Sequence, residues 1–286
     1  MSKDVLKEIV LKKKEKILIA KQQLPEELLT VKVKDLAPAR AFIAALNKPR
    51  QITLIAEIKK QSPSAGLLRE DFNPVEIAKA YQEAGAHAVS VLTEEDNFSG
   101  DINYINQVKA AVNLPILRKD FILQPYQIYE SRYFGADAVL LIADILTKEQ
   151  LTQLIQLADS LGLDSLVEVH TEKELKKILS LKIAPLAAGP EPEGAIKKSK
   201  DKEKKFIDFA IGINNRDLHT LEVDPKITEK LYILIPKERT VVVESGLKSS
   251  QDVLFLKILG VNAVLIGSAF MQAPDIIAKV HEMMGW

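Results

Sequence analysis

No cysteine occurs among the 286 residues, which excludes a disulfide framework and thiol chemistry and leaves the cytoplasm as the expected compartment. A dominant charge sign is lacking too. Lys and Arg number 39 and so do Asp and Glu, so no overall field favours nucleic acid or a membrane surface. No apolar run is long enough to cross a bilayer, although 47% of the residues are hydrophobic, as expected of a soluble globular protein. The first ten residues mix Lys3, Asp4, Lys7 and Glu8 with Val5, Leu6, Ile9 and Val10, so they do not read as a secretory signal. His87, His170, His219 and His281 show no ligand spacing, and no metal or cofactor is expected. No Ser–His–acid trio is suggested either.

What is present is a rhythm. Val5, Leu6, Ile9, Val10, Ile17 and Leu18 recur at helical spacing, with Lys12, Lys13, Lys14 and Lys16 read as a solvated face and a membrane or RNA contact as the alternative. A second short helical pattern covers 37–46. Strand signals follow over 52–58, 87–92, 114–117, 137–142, 165–169, 206–213, 240–243 and 263–266. Helical signals over 74–84, 102–112, 125–134, 148–161, 171–181, 227–235, 249–259 and 275–283 alternate with them. Pro74 and Pro125 open helices, while Gly85, Gly135, Gly162 and Gly260 stop them. Strands apolar on both faces and separated by helices require a covered parallel sheet. Eight such units favour a closed (β/α)8 TIM barrel, of class α/β, with an extra N-terminal helical segment over 1–48. An open doubly wound sheet is the alternative, but no Gly-x-Gly-x-x-Gly follows the first strand. The whole chain reads as one domain. Residues 185–205, punctuated by Gly189-Pro190-Glu191-Pro192 and rich in Lys, read as a flexible insertion before the sixth strand.

In such a barrel the chemistry sits at the C-terminal ends of the strands. Those positions hold Glu57 and Lys59, Lys119 and Asp120, Glu168, Asn214 and Arg216, Glu244-Ser245-Gly246, and Gly267-Ser268. Each charge alone could be a structural pair. Several strands converging on one level instead point to acid–base chemistry by Lys and Glu. Small residues in the last two loops, Ser245, Gly246, Gly267 and Ser268, favour phosphate, because backbone N–H groups can close there on an anion.

These residues lie in longer matching runs. Residues 56–64 (Ala-Glu-Ile-Lys-Lys-Gln-Ser-Pro-Ser), 117–122 (Leu-Arg-Lys-Asp-Phe-Ile), 125–130 (Pro-Tyr-Gln-Ile-Tyr-Glu), 166–169 (Leu-Val-Glu-Val), 212–218 (Gly-Ile-Asn-Asn-Arg-Asp-Leu), 243–246 (Val-Glu-Ser-Gly) and 265–270 (Leu-Ile-Gly-Ser-Ala-Phe) resemble, in order, the indole-3-glycerol-phosphate synthases of tryptophan biosynthesis. The resemblance implies a lyase that closes 1-(2-carboxyphenylamino)-1-deoxyribulose 5-phosphate to indole-3-glycerol phosphate with loss of CO2 and water. It implies Lys119 as general acid and Glu168 as base, with Glu57 and Lys59 orienting substrate and Asn214 and Glu244 holding or relaying protons. A dry pocket and nearby cations would tune such a Lys toward neutral pH; a carboxylate partner would oppose that shift. Ser62 and Arg216 are implied to hold a carboxylate or phosphate, and Phe98 and Phe121 to wall the aromatic ring. Gln124 departs from the family's usual Asp, a change expected to be neutral. The partner expected is a phosphorylated small molecule, with no nucleic acid or membrane. A monomer is expected, open to association with other tryptophan-pathway enzymes. A sugar-phosphate isomerase would leave Lys59 and Lys119 without work, and a non-catalytic binding barrel would have lost strand-end residues. A nucleic-acid patch at 197–205 is interrupted by Asp201 and Glu203 and lacks stacking aromatics.

Overall fold

A computed structural model describes residues 4–186 and 206–286. Eight parallel strands close into a barrel: β1 Thr53–Ile58, β2 Ala88–Leu92, β3 Ile116–Lys119, β4 Ala138–Ile142, β5 Asp164–Val169, β6 Ala210–Asn214, β7 Val241–Glu244 and β8 Ala263–Ile266. Each pairs with its sequence neighbours, and β8 returns to β1 in the register Thr53↔Ala263 to Ala56↔Ile266. The strands are largely apolar below their C-terminal ends because both faces are covered. One face, including Leu54, Val89, Val139 and Val264, packs on the outer helices. The other, including Ile55, Ala88, Leu117, Leu140, Leu166, Val242 and Leu265, fills the interior.

The two-residue period of a strand fixes where the polar groups go. One step beyond interior Ile55, Leu117, Leu166, Val242 and Leu265 stand Glu57, Lys119, Glu168, Glu244 and Gly267. A layer of charge therefore rests directly on a layer of hydrocarbon.

The outer helices run close to the expected bounds, as in Pro74–Glu83, Pro125–Phe134, Lys148–Ser160 and Ser250–Leu259. Several expectations change. The helical pattern at 37–46 contracts to Phe42–Leu46, because Pro38 lacks an N–H and drives the residue before it to extended backbone. The helix Glu26–Lys32 was not foreseen. The sixth strand starts at Ala210 rather than 206; before it, Ile207 N–H donates to Ile183 O instead of to a barrel neighbour. Residues 61–67, read as loop, include a small antiparallel pair, Gln61–Ser62 with Gly66–Leu67. Most of the expected 185–205 insertion lies outside the described residues. Among the described residues no helix is long and apolar enough to cross a membrane.

The N-terminal segment holds both ends of the barrel. Helix Val5–Gln23, capped by Asp4 accepting from Lys7 N–H, sets Leu6 and Ile9 into the interior cluster. Its basic face is not wholly solvated as expected: Lys13 is buried, and Lys16 pairs with Asp96 at 2.8 Å. At the opposite end Phe42 and Leu46 seal the interior. There Ile43 N–H donates to Asp164 at 2.8 Å, Arg40 N–H to Asp137 at 2.6 Å, and Thr53 Oγ1 to Leu46 O at 3.2 Å.

Phe42 is fully buried, and its removal leaves a cavity under the barrel that cannot collapse between fixed strands. Phe42→Ala is expected to lower the unfolding free energy by about 3–5 kcal/mol. Urea denaturation checks this, and a loss under about 1 kcal/mol would mean that Phe42 does not seal the floor.

Candidate active site

A cavity of about 700 Å³ opens at the C-terminal ends of the strands, and all eight strands or their following loops line it. Every site residue expected from the sequence reaches it: Glu57, Lys59, Ser62, Phe98, Lys119, Phe121, Glu168, Asn214, Arg216, Glu244, Ser245, Gly246, Gly267 and Ser268. At its centre Lys119 Nζ lies 2.7 Å from Glu244 Oε2 and 3.4 Å from Glu168 Oε2. Asn214 Nδ2 donates to Glu168 Oε1 at 2.9 Å, while Asn214 Oδ1 accepts from Arg216 N–H at 2.9 Å. Lys59 and Glu57 form a close ion pair across one strand end, as the two-residue spacing requires.

Glycines make room for the carboxylates. A Cβ on Gly267 would lie 2.2 Å from Glu57 Oε2, and one on Gly212 would lie 2.7 Å from Glu244 Oε1. Any side chain at these two positions would displace a buried charge. Gly212 and the supporting contact of His170 Nδ1 with Asn214 O at 2.8 Å were missed from the sequence. The alternation Gly212-x-Asn214 was the available signal for the first; no local signal marks the second.

Burial opposes charge on Lys119, Glu57 and Glu244, and the neighbours decide the outcome. For Lys119 the carboxylates of Glu244, Glu168 and Glu57 outweigh burial and hold the ammonium well above its ordinary value. The opposing carboxylate thus prevails over the dry pocket. Glu57 is burdened by burial, yet Lys59, Lys119 and Arg216 keep its carboxyl below the usual range. Glu244 goes the other way. Burial, helped by Glu168 and Glu57 and opposed by Lys119, lifts it from 4.5 to about 7. Its Oε1 is buried with no hydrogen-bond partner among the described residues, which agrees with that direction.

The ends of the cavity differ. Phe98 and Phe121, with ring centroids 6.4 Å apart, stand with Leu140 and Ile142 as an apolar wall. Ser245 and Gly246 both have left-handed backbone, φ 65° and 80°, and Ser268 begins the short helix Ser268–Met271 beside them. Lys248 and Lys279 also line the cavity and were not singled out from the sequence. Asp120, counted among the strand-end charges, is engaged by Arg118 and Lys13. Gln124 opens helix Pro125–Phe134 with its N–H donating to Gln127 Oε1 at 3.3 Å.

Comparisons with known proteins agree with this geometry. The family model for indole-3-glycerol phosphate synthase matches residues 6–186 and 204–283. An indole-3-glycerol phosphate synthase of Acetivibrio thermocellus is 48% identical over 84% of this chain and 83% of its own. One from Rhodopirellula baltica is 41% identical over 98% of both chains. Among solved structures, 3-hexulose-6-phosphate synthase from Salmonella typhimurium shares the fold, with a TM-score of 0.60 at 15% identity over 82% of this chain and 97% of that one. The tryptophan synthase alpha-subunit of Pyrococcus furiosus does so with a TM-score of 0.55 at 14% identity over 82% and 98%. With its barrel, its convergent lysines and carboxylates and these sequence matches, the chain belongs to the indole-3-glycerol phosphate synthase family.

Proposed function

We propose that Lys119, held between Glu244 and Glu168, drives closure of 1-(2-carboxyphenylamino)-1-deoxyribulose 5-phosphate to indole-3-glycerol phosphate. The observation that carries this reading is the 2.7 Å contact of Lys119 Nζ with Glu244 inside the cavity, where a charged acid is kept loaded beside a carboxylate of raised proton affinity. Attack of the aromatic ring carbon on the ketone develops negative charge on oxygen, and Lys119 donates a proton there. CO2 then leaves and the ring regains aromaticity. Dehydration follows: the hydroxyl departs as water with a proton from an acid, and Glu168 removes the proton that must be lost. Asn214 orients Glu168 through its 2.9 Å hydrogen bond, and Glu244 returns protons to Lys119. Glu57 and Lys59 orient the substrate's hydroxyls and charges.

The ends of the cavity suit the ends of this substrate. Phe98 and Phe121 wall its ring, while Ser245, Gly246, Gly267 and Ser268 receive the phosphate on backbone N–H groups. Ser62 and Arg216 hold anionic groups of the substrate. The same reading places the enzyme in the cytoplasm, as a monomer able to associate with other enzymes of tryptophan synthesis. It treats the chain as one domain carrying an insertion. The family match leaves out residues 187–203, which supports that view.

Indole fluorescence after mixing protein and substrate tests the reaction. Lys119→Ala should cut turnover by at least about a thousandfold while substrate still binds, because the lost interaction is made in the transition state. Substantial turnover by the variant would sink the assignment of the acid. Ser268→Asp should weaken binding through like-charge repulsion with the phosphate, and unchanged affinity would move the phosphate elsewhere. Replacing residues 190–205 by a short turn should leave turnover unchanged.

Glu244 gives a pH test. Its folded value is raised to about 7 from 4.5, so its contribution to stability is complete below 4.5 and is lost as pH rises through about 7. Wild type should therefore lose stability relative to Glu244→Gln between those values, read by urea denaturation at a series of pH values. A difference that does not change with pH would show that Glu244 is ionised throughout.

A further inference from the structure

Lys13 is a lysine buried to 4% exposure on the helix that precedes the barrel. Its Nζ lies 2.8 Å from Asp120 Oδ1 and 3.2 Å from Glu95 Oε2. Those two acids belong to different parts of the site. Asp120 sits between Lys119 and Phe121, and its Oδ1 also accepts from Phe121 N–H at 2.8 Å. Glu95 starts the turn Glu95–Phe98, which is capped by Glu94 accepting from the N–H groups of Asp96, Asn97 and Phe98. Lys13 therefore ties together the backbone on either side of the apolar wall, with Phe121 on one side and Phe98 on the other.

The anchorage is two-layered. Asp120 Oδ2 takes Arg118 Nη2 at 3.0 Å and Thr93 Oγ1 at 2.7 Å, and Arg118 Nη1 continues to Glu130 at 2.8 Å. Thr93 N–H donates to Lys119 O at 3.1 Å, joining the loop to the strand that carries the acid. Burial works against charge on both Lys13 and Asp120, but each holds the other in its charged form. Two charges so deeply desolvated cost more than an ordinary surface pair returns, and they sit where their loss would shift Lys119, Phe121 and Phe98 together.

We infer that Lys13 is a positioning residue of the reaction: through Asp120 and Glu95 it fixes the distance between the proton donor Lys119 and the ring-binding wall Phe98–Phe121. This rests on Lys119 being the acid. The N-terminal helix is then part of the catalytic apparatus, although it supplies no group to the substrate.

Lys13→Met keeps the length of the side chain and removes the charge. Asp120 keeps Arg118 and Thr93, so the fold should survive with a lower Tm. Assayed well below that Tm, kcat should fall by at least about tenfold with KM changed less than about threefold, since displacements of an ångström far from the chemistry act on the transition state. Lys13→Arg, which retains the cation, should recover most of the loss. Lys14→Met, at an exposed lysine of the same helix, should stay within about twofold of wild type. A Lys13→Met enzyme with a lowered Tm and unchanged kcat would overturn the inference and leave Lys13 merely structural. Glu95→Gln frees the loop alone at a half-exposed position, so it stands even if Lys13→Met does not fold. It should lower kcat about threefold or more, with KM changed less than about threefold, by loosening Phe98, and an unchanged kcat would equally overturn the proposal. The two readings fail separately. Turnover by Lys119→Ala removes the acid, whereas an inactive Lys119→Ala beside a fully active Lys13→Met removes only the role of Lys13.

Discussion

The contact between the Lys119 ammonium and the Glu244 carboxylate is the constraint on which the rest of this molecule depends. Both are buried, and a buried ion pair is tolerated only where geometry and further hydrogen bonds compensate desolvation. Here the barrel supplies the geometry. β3 and β7 are held by parallel neighbours on both sides, so the two side chains meet at 2.7 Å without ordering any mobile segment. Glu168 at 3.4 Å and the Lys59–Glu57 pair extend the cluster until its charges are nearly balanced. What remains unbalanced is local. Glu244 Oε1 has no donor among the described residues, and this is the group whose proton affinity rises into the neutral range. The unsatisfied atom and the raised proton affinity thus fall on the same carboxylate.

Such a cluster can be carried only on a floor that does not move. The interior layer below it is hydrocarbon from all eight strands, closed at the far end by Phe42 and Leu46. Close packing makes that layer stiff, and the two-residue strand period transmits the stiffness directly to the charged layer above. The missing side chains of Gly212 and Gly267 complete the fit, since each lies within 3 Å of where a carboxylate oxygen must be. Rigidity below and space beside the charges are two halves of one requirement for preorganised electrostatics.

Much of this was legible along the chain. The eight strands announced themselves as apolar runs bounded by Gly stops, and strand-end charges at a common level placed the cavity. Residues 57 and 59 share a face because a strand repeats every two residues, and no tertiary knowledge is needed to see it. The resemblance supplied Ser62, Phe98 and Phe121, which no spacing argument selects. Other features escaped for definite reasons. Helix Glu26–Lys32 is short and only Leu29 is buried in it, too little periodicity to register. His170 supports Asn214 through a backbone carbonyl 44 residues away in sequence, a contact that no local pattern encodes. Lys248 and Lys279 line the cavity from positions where surface lysines are commonplace.

Lys13 is the most instructive miss, because its signal was present. The buried positions of the first helix are Leu6, Ile9, Lys13 and Ile17, spaced by three, four and four residues as one face of a helix demands. Three of them are aliphatic and the fourth is a lysine. Grouping Lys12, Lys13, Lys14 and Lys16 as one basic face averaged over residues that point about 100° apart and hid the exception. A charged residue occupying an apolar register position must find a buried acceptor or deform its helix, and an acceptor was available in Asp120, one residue after a strand-end lysine. Read this way, a lysine inside a hydrophobic stripe and an acid beside a catalytic candidate each call for a partner, and the same pairing satisfies both. The N-terminal helix is thereby bound to the site by charge as well as by hydrophobic burial, and only the charged contact specifies where along β3 the helix must sit.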